Sequence, residues 1–122
     1  MGRAVKPMIK MTSRRVDGVT ILDIGGRITL GEGSTQLRDS IRQLLAQNEK
    51  RILVNLGEVS YIDSSGLGEL VSAFTTVRSE GGELKLLNLT RKVRDLLQIT
   101  KLYTVFDIHD DETRAIASFP AA

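Results

Sequence analysis

The stretch Arg51-Ile52-Leu53-Val54-Asn55-Leu56-Gly57-Glu58-Val59-Ser60-Tyr61-Ile62-Asp63-Ser64-Ser65-Gly66-Leu67-Gly68 decides how the rest of the chain is read. From Arg51 to Leu56 it is almost continuously apolar, and Val59 to Ile62 carries the run on towards a turn. A short run of that kind suits a strand buried on both faces. Its end has the opposite character. Asp63, Ser64, Ser65 and Gly66 are small or hydroxylated side chains that cannot build core. Beyond them Leu67, Leu70, Val71, Phe74 and Val77 recur at helical spacing. Two glycines in the first turn of a helix cost about 1 kcal/mol each against Ala. A buried strand therefore feeds a helix through a corner that gives up helix stability, and the corner needs a reason.

Upstream, Met8 to Val16 reads as an edge strand. Asp17-Gly18 is a hairpin turn signal. Val19 to Ile24 is a β-branched, apolar strand that Gly25-Gly26 breaks or bulges. The loop Gly31-Glu32-Gly33 leads to Ser34, the expected N-cap of a helix carrying Leu37, Ile41, Leu44 and Leu45. Downstream, Gly81-Gly82 stops the helix that follows Ser65. Glu83 to Leu87 is a strand, and Thr90 caps a helix with Val93, Leu96 and Leu97 inward. Tyr103 to Ile108 is expected as a last short strand. Asp110-Asp111-Glu112 opens a terminal helix with Ala115, Ile116 and Phe119 inward, its acids matching the helix dipole.

The order is β-β-α-β-α-β-α-β-α. It predicts an α/β (α+β) fold: a mixed sheet of about four or five strands with about four helices, the later strands parallel and joined by right-handed crossovers. The chain has 122 residues, enough for one domain. That domain is placed at residues 8–119, between a flexible leader at 1–7 and a tail at 120–122.

Composition removes whole classes of chemistry. There is no Cys, so disulfides, thiolate metal sites and Cys nucleophiles are excluded. His109 is the single histidine, which removes multi-histidine metal cages. Neither a metal nor a cofactor is expected. With two Tyr, three Phe and no Trp, stacking platforms for single-stranded nucleic acid are scarce. The 17 Lys and Arg exceed the 15 Asp and Glu by only two, so the sequence pI near 9.2 carries little weight. The basic run Arg91-Lys92-Val93-Arg94 reads as a solvated helix face, and direct nucleic-acid binding is not expected. No apolar segment approaches the roughly 18 residues of a membrane span. The N-terminus lacks the apolar stretch of a secretory signal. The expected setting is cytoplasmic, without membrane insertion.

Three kinds of chemistry compete at Asp63-Ser64-Ser65. The first is helix capping, for which all three side chains are suited. No capping box selects among them, because Leu67 and Gly68 stand where Glu or Gln would be needed. The second is a phosphoacceptor: a phosphate on a serine at a helix N-terminus meets free N–H groups and the positive end of the dipole. Asp63 opposes this by like charge. The third is a nucleophilic serine. Ser64 lacks the G-x-S-x-G elbow, since Ile62 stands two residues before it, and His109 is the sole candidate base. A separate string, Gly26 to Ser34, has the glycine spacing of a P-loop but places Glu32 where the phosphate-binding Lys belongs, so a Walker site is rejected.

The string Asn55-Leu56, Val59, Tyr61-Ile62-Asp63-Ser64-Ser65-Gly66-Leu67-Gly68 and Leu70 resembles the signature of the STAS domain, most closely that of bacterial anti-sigma factor antagonists. Gly81-Gly82-Glu83-Leu84, Asn88-Leu89-Thr90, Val93, Leu96-Leu97 and Ile99-Thr100 extend the resemblance over roughly residues 8–119. It implies a mixed sheet covered mainly on one side by helices. It implies a binding module, not an enzyme, whose partner is an anti-sigma factor that is also a serine kinase. By position Ser64 is then the phosphorylated residue. The unphosphorylated form binds that partner and releases a sigma factor for transcription, and a phosphoserine phosphatase resets it. Asp63 orients or tunes Ser64, Gly66 and Gly68 allow close docking, and Thr29, Ser65 and Asn88 are expected around them. One departure stands out: Gly26-Arg27-Ile28-Thr29 replaces an acidic pair common in the family, so Arg27 is placed to alter partner choice or to approach a phosphate on Ser64. The rival implied by the same resemblance is a non-switching STAS subunit of a larger stress-sensing or lipid-transport assembly. A nucleotide- or lipid-binding domain and a His109-dependent esterase are the others.

Overall fold

A computed structural model of the chain describes residues 9–120. The expected leader at 1–7, the first expected strand residue Met8 and the last tail residues 121–122 lie outside them. The elements are β1 (Ile9–Val16), β2 (Val19–Ile28), α1 (Glu32–Ala46), β3 (Arg51–Ile62), α2 (Ser64–Ser79), β4 (Glu83–Leu87), α3 (Arg91–Ile99), β5 (Ile108–His109) and α4 (Glu112–Ala117), with a 3-10 turn at Leu102–Thr104. One sheet holds the strands in the order β1-β2-β3-β4-β5. The β1–β2 pair is antiparallel and the three other pairs are parallel. The expected mixed sheet with a single hairpin is what forms.

The hairpin turn works as its residues require. Asp17 and Gly18 both take positive φ, 51° and 78°. This is the mirror-image turn whose twist matches the strands on either side.

Side-chain alternation along the strands sorts the core into two layers. Leu22, Ile24 and Ile28 of β2, Ile52, Val54 and Leu56 of β3, and Leu84 and Leu86 of β4 face one way. They pack against Leu37 and Ile41 of α1, Leu67, Leu70 and Val77 of α2, and Val93 and Leu97 of α3. Val19, Ile21, Leu53 and Leu87 face the other way, against Ala115 of α4 and Phe119 just beyond it. Among the described residues three helices thus cover one face, and α4 alone covers part of the other. The near-continuous apolarity of β3 follows from burial on both sides.

Several local expectations are corrected. Ser34 is not a helix cap. Gly31, at φ 96°, turns the chain earlier, so α1 begins at Glu32 with no side-chain cap. Ser34 is buried in the first turn, where its N–H donates to the Thr29 carbonyl at 2.9 Å. At Gly25-Gly26, of the two expected outcomes, a break or a bulge, the bulge holds. The strand runs on to Ile28 through two register shifts against β3, so the glycines mark a bulge. The last strand is not Tyr103–Ile108. Lys101 takes a left-handed conformation (φ 61°), the chain coils through Leu102–Thr104, and only Ile108–His109 reaches the sheet. Within that segment Phe106 is the buried residue, its ring 5.4 Å from that of Phe74 in an edge-on contact. Thr90 caps α3 as expected, accepting from the Val93 N–H at 3.5 Å. At α4 the cap is Asp111, and Glu112 is the acid of the first turn.

Candidate functional site

The parallel register between β2 and β3 brings Ile28 beside Ile62, so the two strands end together. Each then turns into a helix, β2 through Thr29–Gly31 and β3 through Asp63. These corners share one residue. Asp63 Oδ1 accepts from the Gly66 N–H at 2.9 Å, and Oδ2 accepts from the Leu30 N–H at 3.0 Å. The Asp63 N–H donates to the Ile28 carbonyl at 3.2 Å, and its carbonyl accepts from Leu67. Asp63 is therefore the N-cap of α2 and also the clamp between two loops. The Gly66 and then the Leu30 N–H groups hold its carboxyl below the usual Asp range, so it is ionised at neutral pH.

With the cap assigned to Asp63, the serines are released from that duty. Ser64 is the first residue of α2, and its side chain is exposed. Ser65 is half-buried beside it. Neither hydroxyl enters a side-chain hydrogen bond among the described residues. Of the three capping candidates only one caps, which leaves Ser64 free for another role.

Gly66 and Gly68 have separate explanations. A Cβ on Gly66 would collide with the Ile28 carbonyl oxygen and would crowd the Ile28 and Ile62 side chains. Its missing side chain lets α2 start close against β2, so its first use is inside the fold. Gly68 is exposed, with nothing near its would-be Cβ, and offers open surface. Thr29 is half-buried and contributes its carbonyl to the start of α1. Asn88 is not joined to this corner by hydrogen bonds. It takes a left-handed conformation and donates to Asn55 Oδ1 at 3.4 Å, while Asn55 donates to Asp23 Oδ1 at 2.8 Å. Arg27 lies over the Tyr61 ring, 4.9 Å from its centroid, on the paired strand.

Two exposed residues at this end were not among the sequence candidates. Leu30 is 78% exposed and Tyr61 is 40% exposed. The available signal for Leu30 was an apolar residue between Thr29 and Gly31, in a loop that otherwise avoids core side chains.

His109 does not reach for Ser64. Its Nε2 lies 3.1 Å from Asp107 and 3.4 Å from the Ser118 hydroxyl. Those residues resemble a catalytic triad in composition but not in wiring. A triad needs the acid and the serine on opposite ring nitrogens, and here both meet the same one. The Lys85 ammonium also donates to Ser118 Oγ at 2.9 Å and pairs with Asp107 at 3.0 Å, which makes the cluster a clasp for α4. Elsewhere, a hollow of 530 Å³ lies over β1–β3, with Lys10, Thr12, Gly25 and Glu58 in its lining. No residue of the Asp63 corner lines it. Among the described residues no helix is long and apolar enough to cross a membrane.

The stretch that forms this sheet and its Asp-Ser-Ser-Gly-Leu-Gly corner is matched by the STAS domain family, at residues 10–115. The chain belongs to the STAS domain family. Among its relatives, BtrV of Bordetella bronchiseptica is 27% identical over 114 residues, spanning 93% of this chain and 97% of BtrV. The anti-sigma-B factor antagonist of Bacillus subtilis is 42% identical over 64 residues, 52% of this chain and 59% of that protein. Among solved structures, a Thermotoga maritima chain superposes with a TM-score of 0.82 at 25% identity, covering 89% of this chain and 93% of that one. The STAS assignment agrees with the sheet order and with helices gathered mainly on one face.

Proposed function

We propose that this STAS domain is an anti-sigma factor antagonist switched by phosphorylation of Ser64. Unphosphorylated, it binds an anti-sigma factor that is also a serine kinase, and so frees a sigma factor for transcription. Phosphorylated, it lets go, and a phosphoserine phosphatase restores it. It acts as a cytoplasmic binding module and not as a catalyst. The observation that carries this reading is the division of labour at the corner: Asp63 does the capping, and the exposed Ser64 hydroxyl makes no side-chain hydrogen bond among the described residues. The name of the Bacillus subtilis relative supports the class of partner.

The energetics are adequate. A neutral serine hydroxyl buried in an interface contributes a hydrogen bond worth about 1 kcal/mol. A phosphate there, beside the ionised Asp63, is desolvated without a partner and costs several times as much. A micromolar complex is held by about 8 kcal/mol, and every 1.4 kcal/mol of penalty weakens it tenfold.

The test is peptide mass spectrometry of the protein from its native host, with phosphatase treatment as control. It is paired with affinity capture by the Ser64→Ala and Ser64→Asp variants. A phosphate on Ser64, together with an ATP-dependent kinase retained by Ser64→Ala and lost by Ser64→Asp, is the expected result. Equal retention by both variants, with no phosphate under growth or stress, would replace the switch with a constitutive docking subunit.

A further inference from the structure

The geometry points to Leu30 as the apolar anchor by which the anti-sigma factor kinase grips this domain, with Asp63 as the residue that positions it. The inference rests on the docking function proposed above and assigns that surface a specificity residue.

A lone exposed leucine needs no explanation on a protein surface. Leu30 differs in how it is held. Its N–H is fixed by Asp63 Oδ2 at 3.0 Å. On one side the Thr29 carbonyl accepts from Ser34 at 2.9 Å, and on the other the Gly31 carbonyl accepts from Thr35 at 3.0 Å. The loop is thus tied to both α1 and the residue directly before Ser64. An apolar side chain that is 78% exposed yet carried by a tied backbone is partly preorganised for a partner, because little backbone freedom is lost when it is covered. Its support is the same carboxylate that caps the phosphoacceptor helix, so a partner that covers Ser64 meets Leu30 in a constant relation to it. Ile99 provides the contrast. It is also 78% exposed, but it ends α3 and shares no bond with the corner.

The complementary surface is an apolar recess sized for one leucine, next to the kinase's approach to the Ser64 hydroxyl. Selectivity follows from the fit: a kinase with a polar or filled surface at that point leaves Leu30 in water or blocked. Arg27 stacked on Tyr61 stands at the ends of the same two strands, and such residue types recur at interface centres.

The experiment uses the full chain and the purified kinase identified by Ser64→Ala capture, with Mg-ATP. Binding is measured by calorimetry and Ser64 phosphorylation by steady-state kinetics, for wild type, Leu30→Ala, Leu30→Ser, Leu30→Met and Ile99→Ala. Leu30→Ala and Leu30→Ser are expected to weaken binding by about tenfold or more, the scale of an interface anchor. They should raise KM for phosphorylation by a similar factor and leave kcat and the melting temperature unchanged. Leu30→Met and Ile99→Ala should behave as wild type. Asp63→Asn, which loses one of the two acceptors, should weaken binding in the same direction and speed exchange of the Leu30 amide. Wild-type affinity in Leu30→Ser overturns the anchor while leaving the docking function intact, and so does a loss in Leu30→Ala or Leu30→Ser that tracks a fall in that variant's own melting temperature. Failure of Ser64→Ala to retain any ATP-dependent kinase, or of the purified kinase to bind wild type and Ser64→Ala directly, overturns both.

Discussion

Asp63 and Leu30 are 33 residues apart in the chain, yet the carboxylate of one accepts the main-chain N–H of the other at 3.0 Å. The bond exists because β2 and β3 run parallel and end level, with Ile28 beside Ile62. It makes two strand-to-helix corners into one surface and places the proposed phosphoacceptor on it.

Removing that carboxylate should be felt at both ends. Asp63→Ala leaves the Leu30 and Gly66 N–H groups without their acceptors. Amide hydrogen exchange followed by NMR is expected to accelerate at both positions, with a lower urea midpoint for the whole domain. Unchanged protection at Leu30 would show that the α1 side alone holds the loop.

The two glycines of the corner should part company on substitution. Gly66→Ala drives a Cβ into the Ile28 carbonyl, a backbone group that cannot swing away, and overpacking of this kind costs about 1–3 kcal/mol or more. Gly68→Ala meets open space and should gain up to about 1 kcal/mol from better helix propensity. Urea denaturation measures both. If Gly68 serves docking, the stabilised Gly68→Ala protein will bind its partner more weakly, a separation of fold from function that Gly66→Ala cannot show.

Acid should destabilise the domain through a defined set of carboxylates. The Gly66 and Leu30 N–H groups lower Asp63, and hydrogen bonds from Arg14 lower Glu112. Burial pushes Asp23 and Asp107 up, but bonds from Arg14 and Asn55 to the first, and from Lys85 and His109 to the second, outweigh it. A carboxyl held lower in the folded than in the unfolded chain stabilises fully above its ordinary value, 3.8 for Asp and 4.5 for Glu. That contribution fades as pH falls through the folded value. The urea midpoint should therefore hold level above about pH 5.5 and decline below about pH 4.5. Arg14→Gln should lower the neutral-pH midpoint and flatten the decline, because Asp23 and Glu112 both lose the guanidinium that holds them at 2.7 and 2.6 Å. An equally steep decline in that variant would place the acid sensitivity elsewhere.

The back of the sheet should fail independently of the proposed docking corner. Phe119 is 7% exposed, packs with Val19, Ile21, Leu53 and Leu87, and has the Lys85 ammonium 4.9 Å from its ring centroid. Phe119→Ala is expected to cost about 3 kcal/mol. Once the protein is held below its lowered melting temperature, partner affinity should be that of wild type, read by the same calorimetry.

What the sequence determined by itself was set by short-range patterns. The unbroken apolarity of Ile52-Leu53-Val54, the helical spacing of Leu67, Leu70, Phe74 and Val77, and the Asp17-Gly18 turn all lie within a few residues of what they specify. They sufficed for the element order, the mixed sheet and the position of Ser64 at a strand-to-helix corner. Only the tertiary structure decided which of three capping residues caps, and that the same carboxylate also holds Leu30, which reaches Asp63 through strand register and not through neighbourhood in the chain. The same holds for Ser34, displaced from its cap by the positive φ of Gly31, and for Gly66, whose need is set by the Ile28 carbonyl on another strand. It holds too for the Tyr103 segment, whose apolar residues suit a strand by propensity but coil after the left-handed Lys101. Local propensity names what a segment can form, while hydrogen bonds and close contacts between distant segments, available only once the sheet is assembled, select what it does form.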